Sequence, residues 1–110
     1  MLFPPEHVEM IKKGLKTQSR RKWIRRMVKR DVIYKVKTQL LSNSYHCKIR
    51  VLDVRLERLG DMTDLDAMKT GGCTLEEYKR VWSAKNGEWD PDLLVHVVDF
   101  QLVKEELLTY

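Results

Sequence analysis

Gly14-Leu15-Lys16-Thr17-Gln18-Ser19-Arg20-Arg21 is the most informative segment of the chain, because it joins the end of a predicted helix to a predicted strand. A glycine at position 14 permits the positive φ with which a chain leaves a helix and turns sharply. In the strand that follows, alternate side chains share a face, so Thr17, Ser19 and Arg21 project together. Two hydroxyls and a guanidinium then lie in line beside the Lys16 ammonium, an arrangement suited to phosphate or carboxylate.

Patterns on both sides of this stretch predict an α+β fold. Pro5 suits the first position of a helix, and Gly14 is a natural end for that helix. The strand that begins in the stretch is predicted to continue to Trp23. Alternating apolar residues predict further strands at 32–37 and 94–102.

A longer strand is predicted from Cys47 to Leu56, and its apolar side chains change phase partway along. They occupy one face up to Val51 and the other face from Leu52 onward. A slip of one residue inside a continuous strand is typical of a β-bulge, which bends strands around a barrel.

Two helices are predicted between this strand and the last one. Their starts are marked by the capping pairs Thr63 with Asp66 and Thr74 with Glu77. The predicted architecture is a small, bent, partly closed β-barrel with two or three flanking helices. At 110 residues, the chain is expected to form one domain over 1–110.

Positive charge is concentrated near the N-terminus. Between Ile11 and Arg30 there are 10 of the 21 Lys and Arg residues and no acidic residue, although the whole chain has a net charge of only +5. Such a block is typical of a protein with a polyanionic partner, and nucleic acid is the first candidate. The alternative is a solvated basic face of a stable protein.

Other classes of protein are disfavoured by composition. The sequence has no apolar run long enough for a signal peptide or a membrane span, so a cytoplasmic protein with no membrane partner is expected. Cys47 and Cys73 stand alone, without nearby histidines at the spacing of zinc ligands, so neither a metal nor a cofactor is predicted. A disulfide between the two cysteines stays open.

The stretch at 14–21 reads GxKTxSxR and resembles a motif of the ASCH domain family, a branch of the PUA-like superfold associated with RNA. Later segments resemble the same family in the same order. They are 31–36, Leu59-Gly60-Asp61-Met62-Thr63 with Ala67, Thr74-Leu75-Glu76-Glu77, and 95–100. The resemblance implies that the motif lines a cleft in the barrel, and that the domain binds RNA or a nucleotide.

The same resemblance suggests an alternative, since one bacterial branch of the family looks like amidohydrolases that act on acetylated cytidine. The proposed catalytic lysine and threonine of that branch correspond to Lys16 and Ser19, which keeps a hydroxyl nucleophile. The glutamate of the branch corresponds to Gly71, which has no acid or base function. Without that glutamate, Lys16 with a lowered pKa would have to act as the base for Ser19, as in Ser–Lys pairs.

Binding without chemistry is the main hypothesis, and a basic adaptor for an acidic protein is a further alternative. The expected partners are RNA, a nucleotide or a modified nucleoside. Residues in and after the motif are expected to form the site, with those from Arg20 onward following the RNA backbone and either Trp23 or Tyr45 stacking on a base. The predicted binding residues are Gly14, Lys16, Thr17, Ser19, Arg20, Arg21, Lys22, Trp23, Arg25, Arg26, Lys29 and Arg30.

Overall fold

A computed structural model describes residues 1–104. The helices and strands follow one another as α1 (Pro5–Lys12), β1 (Gln18–Arg21), β2 (Ile33–Val36), β3 (Cys47–Arg58), α2 (Asp64–Gly71), α3 (Leu75–Asn86) and β4 (Leu94–Val103). A short 3-10 turn at Leu59–Asp61 lies between β3 and α2. The predicted domain of 1–110 therefore includes six residues outside the described part.

The four strands form an antiparallel sheet in the order β1-β4-β3-β2, curled into a half-barrel. The register of β3 against β4 shifts between Val51 and Asp53, at the point where the apolar pattern changes phase. The predicted β-bulge is therefore confirmed, and with the α-helices it confirms the predicted α+β, partly closed barrel. The outer strands β1 and β2 are the edges of the sheet.

Strand β4 is the centre of the structure because it is buried on both faces. Val98 belongs to one apolar cluster, which includes Phe3, Ile49 and Phe100. Val97 belongs to a second cluster beneath α2 and α3. Since neighbouring residues of a strand point to opposite faces, the two clusters lie on either side of the sheet.

The helix ends follow the predicted signals. Pro5 occupies the first turn of α1, and Gly14 has φ +74° just after that helix. The Thr63–Asp66 pair forms a reciprocal capping box at α2. At α3 the Thr74 hydroxyl accepts from the Glu77 backbone N–H, which confirms the predicted start.

The first predicted strand is shorter than the sequence pattern suggests, since β1 ends at Arg21 and Trp23 lies beyond it. The connection between β1 and β2, residues 22–32, is here called the basic loop. Its Val28 is buried in the core, whereas Ile24 is fully exposed. Burial of Val28 gives the chain a second anchor away from the sheet, which is consistent with the early end of β1.

Candidate functional site

A cleft of about 260 Å³ lies between the N-terminal segment, β1 and α3. It is lined by Leu2, Phe3, Pro4, His7, Lys16, Ser19, Arg20, Arg21, Lys22, Thr70, Tyr78, Val81, Trp82, Lys85 and Asn86. Five of the predicted site residues therefore meet here, including both proposed catalytic residues. The volume is slightly below the ~300–1,000 Å³ of sites for drug-sized ligands, which suits a small ligand or one unit of a polymer.

Lys16 is a buried cation with only main-chain carbonyls as hydrogen-bond partners. Its side chain donates to the carbonyl oxygen of Gln18 at 2.9 Å and also to the carbonyl oxygen of Thr70. Burial, with a smaller contribution from the neighbouring Arg21 charge, lowers the pKa of Lys16 to about 7. At neutral pH the group is therefore present in both charged and neutral forms, as expected for a lysine buried beside other cations.

Arg21 is held in place by three contacts. Its Nε donates to Ser19 Oγ at 2.8 Å, and its Nη2 donates to the carbonyl oxygen of Leu2 at 2.8 Å. Its guanidinium carbon lies 4.6 Å from the centre of the Phe3 ring, within the range of a cation–π interaction. Arg21 and Ser19 thus share a face of β1 as predicted, and burial lowers the pKa of Arg21.

Arg20 corrects one expectation from the sequence. Its side chain is fully buried, with Nη2 3.3 Å from Asp66 Oδ2 and 3.9 Å from Glu57 Oε2. A guanidinium in that position is not available to follow an RNA backbone. The two carboxylates lie on β3 and α2, far away in sequence, so only the packing of these elements determines where this arginine goes.

The cleft is positively charged. Lys16, Arg21, Lys22 and Lys85 line it, and the described lining contains no aspartate or glutamate. Within residues 1–104 none of these four forms an ion pair with a carboxylate. Burial, together with the Lys16 charge, lowers the pKa of the adjacent His7 to about 4, so this histidine is neutral at pH 7.

The other predicted site residues lie outside the cleft. Gly14 forms the turn after α1, and the backbone N–H of Thr17 donates to the carbonyl oxygen of Lys69 at 2.9 Å, which joins the start of β1 to α2. Trp23 is half-buried against the core and packs on the ring of His96 at 5.7 Å. The remaining four are exposed on the basic loop, and they are Arg25, Arg26, Lys29 and Arg30.

The opposite wall of the cleft was missed by the sequence pattern. It consists of α3 residues, chiefly Tyr78, Trp82 and Lys85, together with Thr70 of α2. Tyr78 and Trp82 carry the signature of an apolar helix face and do belong to the core. No local signal indicates that the same two rings also border a cleft across from β1.

A second cavity of about 470 Å³ lies near the end of β4 and contains none of the motif residues. Lys12, Lys48 and Lys104 contribute to its lining, and Lys48 Nζ lies 5.5 Å from the centre of the Tyr45 ring. Among residues 1–104 no group of three potential metal ligands occurs, and both cysteines are free thiols. None of the described helices is long and apolar enough to cross a membrane.

Three solved structures resemble this one. An ASCH domain from Lactobacillus crispatus JV V101 is 16% identical with a TM-score of 0.64, covering 86% of this chain and 69% of that one. Protein EF3133 from Enterococcus faecalis V583, of family DUF984, is 16% identical with a TM-score of 0.66, and the match covers 89% of this chain and 67% of that one. The hypothetical protein PH0355 is 17% identical with a TM-score of 0.70, and the match covers 92% of this chain and 94% of that one.

No protein-family model matches the sequence, and no curated protein matches it. The structural similarity therefore establishes the fold, which is ASCH-like over most of the chain. At such low identity, fold alone does not assign an activity, so the function must be argued from the cleft.

Proposed function

We propose that this protein binds RNA or a nucleotide through the cleft, with a phosphate held by Lys16 and Arg21. The observation that carries this proposal is the cationic lining without a carboxylate among the described residues. Buried cations without counter-ions repel one another and are costly to desolvate, and a bound anion relieves both penalties. Nucleotides and RNA supply that anion together with a planar aromatic ring.

Aromatic side chains favour a nucleotide over a simple inorganic anion. Phe3, Tyr78 and Trp82 all border the cleft, so a planar base has apolar surfaces against which to pack. Base–aromatic contacts contribute about 1–3 kcal/mol each. The ASCH-like fold supports the same class of ligand by analogy.

The basic loop extends the proposed binding surface from the cleft. Lys22 belongs both to the loop and to the cleft lining. From there, Arg25, Arg26, Lys29 and Arg30 continue along the exposed loop. A strand of RNA with one nucleotide in the cleft would place its neighbouring phosphates against these side chains, which supply affinity independent of sequence.

The test is fluorescence anisotropy of a short single-stranded RNA over a salt series, with wild type and Lys16→Met. We expect Lys16→Met to weaken binding about tenfold or more at every salt concentration, because truncating a buried charge partner costs about 2–5 kcal/mol. Lys13→Met is the matched control, since Lys13 is exposed at the end of α1.

Equal binding by wild type and Lys16→Met would contradict the proposal. Salt-dependent binding to any polyanion, with indifference to Lys16, would instead support the basic adaptor for an acidic protein. Loss of binding in the Lys13→Met control as well would show that the effect comes from general charge and not from the cleft.

Hydrolysis of a modified nucleoside such as acetylated cytidine is the second candidate, and one observation favours it. With its pKa lowered to about 7, Lys16 carries a substantial neutral fraction near physiological pH, as a general base requires. Ser19, three residues along, is buried in the same cleft and has its Oγ oriented by Arg21. Gly71 lies beside Tyr78, where a Cβ would be 3.8 Å from the ring, and supplies no carboxylate.

Release of acetate from N4-acetylcytidine by wild type and Ser19→Ala tests this alternative. Turnover that is lost in Ser19→Ala, with RNA binding retained, would establish Ser19 as the nucleophile. Turnover that survives would remove Ser19 from that role, and its absence in wild type would leave binding as the function.

A further inference from the structure

Four consecutive residues line the cleft, from Ser19 to Lys22. Side chains of a strand alternate between the two faces, so one face cannot present all of them to the same space. The cleft therefore runs along the edge of β1, where the main chain is accessible. Arg20 shows this directly, because the residue is 6% exposed although its side chain is 0% exposed. The part of Arg20 that meets solvent is its backbone.

The direction of the backbone groups follows from two hydrogen bonds. The N–H of Phe100 on β4 donates to the carbonyl oxygen of Thr17 at 2.9 Å, so the Thr17 carbonyl points toward the sheet. The carbonyl oxygen of the next residue, Gln18, accepts from Lys16 Nζ, so the Gln18 carbonyl points away from β4. The alternation continues along an antiparallel strand, which turns Ser19 and Arg21 toward β4 and Arg20 toward the cleft.

Arg20 thus presents an N–H donor and a C=O acceptor side by side at the open edge. Among residues 1–104, neither group has a hydrogen-bond partner outside the sheet. A backbone pair of this kind normally finds a partner, either another strand, water or a ligand.

The length of the free edge decides what can bind. An added peptide strand needs several consecutive free residues, as in β-augmentation. Here the carbonyl of Gln18 is already occupied by Lys16, and β1 ends at Arg21. One residue remains, and its donor–acceptor pair matches the edge of a heterocycle better than a peptide.

We propose that the main-chain N–H and C=O of Arg20 recognise the edge of a nucleobase that carries an adjacent acceptor and donor. The inference rests on the proposed function and specifies its ligand as a 5′-mononucleotide unit with an unmodified base edge. Lys16 and Arg21 contact the phosphate, while Tyr78 and Trp82 border the ring. Because only main-chain groups take part in this recognition, the Arg20 side chain does not contact the base.

The buried side chain of Arg20 nevertheless serves the same end. Its ion pairs with Asp66 on α2 and Glu57 on β3 tie β1 to both elements. This tie holds the short edge strand in position, so that its free N–H and C=O point into the cleft before a ligand arrives. Such preorganisation lowers the entropic cost of binding.

Amide hydrogen exchange followed by NMR tests the proposal. In the free protein we expect the Arg20 amide to exchange rapidly and the Arg21 amide, which faces β4, to be protected. The best binder among AMP, CMP, GMP and UMP should slow exchange at Arg20 at least tenfold. Ribose 5-phosphate should leave the Arg20 amide unprotected, because it has the phosphate but no base.

Calorimetry with methylated bases gives an independent measurement. A methyl group on the ring nitrogen of the Watson–Crick edge, at N3 of UMP or N1 of GMP, leaves the base uncharged and should weaken binding about tenfold or more, as expected for loss of a two-point contact. The same methyl group should not change binding of the phosphate to the cations or packing of the ring on the aromatic side chains, so the remaining affinity should stay above that of ribose 5-phosphate.

Three results would overturn the inference, and the first two leave the proposed function intact. The first is equal affinity for ribose 5-phosphate and for every mononucleotide. The second is nucleotide binding that leaves exchange at Arg20 unchanged. Protection of Arg20 by an acidic peptide, without protection by nucleotides, would favour a peptide ligand and overturn it too. Failure of the proposed function is distinguishable, because then neither RNA nor any of these phosphates binds to the cleft.

Discussion

The cleft and the basic loop are both rich in lysine and arginine, yet their charges behave differently. Lys16 and Arg21 in the cleft are largely buried and held by hydrogen bonds to main-chain carbonyls and to Ser19. Arg25 and Arg26 on the loop are exposed. Burial restricts a cation to one geometry and shifts its pKa, whereas an exposed cation stays mobile and is screened by salt. Selectivity is thus expected from the cleft and general affinity from the loop.

The change in stability should be largest when a buried arginine is replaced, and much smaller when an exposed arginine is replaced. Arg20→Met should lower the free energy of unfolding by about 2–3 kcal/mol. This is less than the cost of breaking a fully buried ion pair, because the carboxylates of Asp66 and Glu57 are partly exposed. Arg25→Met should leave the urea midpoint unchanged. Equal midpoints for Arg20→Met and wild type would show that the ion pairs do not hold β1 in solution.

The next effect is a pH dependence that only the cleft should show. Above pH 7 Lys16 loses its proton, so log K for RNA should fall with pH, with a slope approaching −1. Binding measured by anisotropy between pH 7 and 9 should therefore fall in wild type and stay constant in Lys16→Met.

The contribution of Lys16 to the stability of the fold should rise with pH over the same range in which RNA affinity falls. Because burial lowers the folded pKa of Lys16 from 10.5 to about 7, the unfolded chain binds more protons between these two values. The contribution of Lys16 to stability should therefore rise with pH through this window. The thermal midpoint of wild type minus that of Lys16→Met isolates this contribution from other groups, and this difference should increase as pH rises from 7 to 9. A constant difference would contradict the shifted pKa.

A smaller effect concerns the loop alone. Replacing Arg25 and Arg26 together by Ala should reduce the slope of log K against log salt by about 1.4 for single-stranded RNA, corresponding to two lost phosphate contacts. Affinity for a mononucleotide should not change, since neither residue lines the cleft. The paired control is Lys12→Ala with Lys13→Ala, and an unchanged slope in the arginine variant would remove these two residues from the interface.

The smallest effect is expected at Ile24 of the basic loop. Ile24 is fully exposed, so Ile24→Ser should change the free energy of unfolding by less than about 0.5 kcal/mol. Urea denaturation provides the measurement. A loss above 1 kcal/mol would show that the loop packs against the domain and that its cations are less free than those of an exposed segment.

Much of the local structure could be predicted because its causes are local. Pro5 and Gly14 determine where α1 begins and ends, and the phase change after Val51 marks the bulge. Such signals depend on neighbours a few residues away, and they were sufficient for the fold class. The shortened β1 was not predictable, because the burial of Val28 depends on a core assembled from distant strands.

The helices and strands, the bend of the sheet and the cluster of cations after Gly14 can all be read from the order of the amino acids. Which of these cations are buried depends on the folded chain, because Glu57, Asp66 and α3 come close to β1 only when it folds. The tertiary structure also determines that the backbone of Arg20, and not its side chain, faces the cleft. Charge and periodicity are properties of neighbouring residues, whereas burial and an open strand edge result from contacts between segments far apart in the chain.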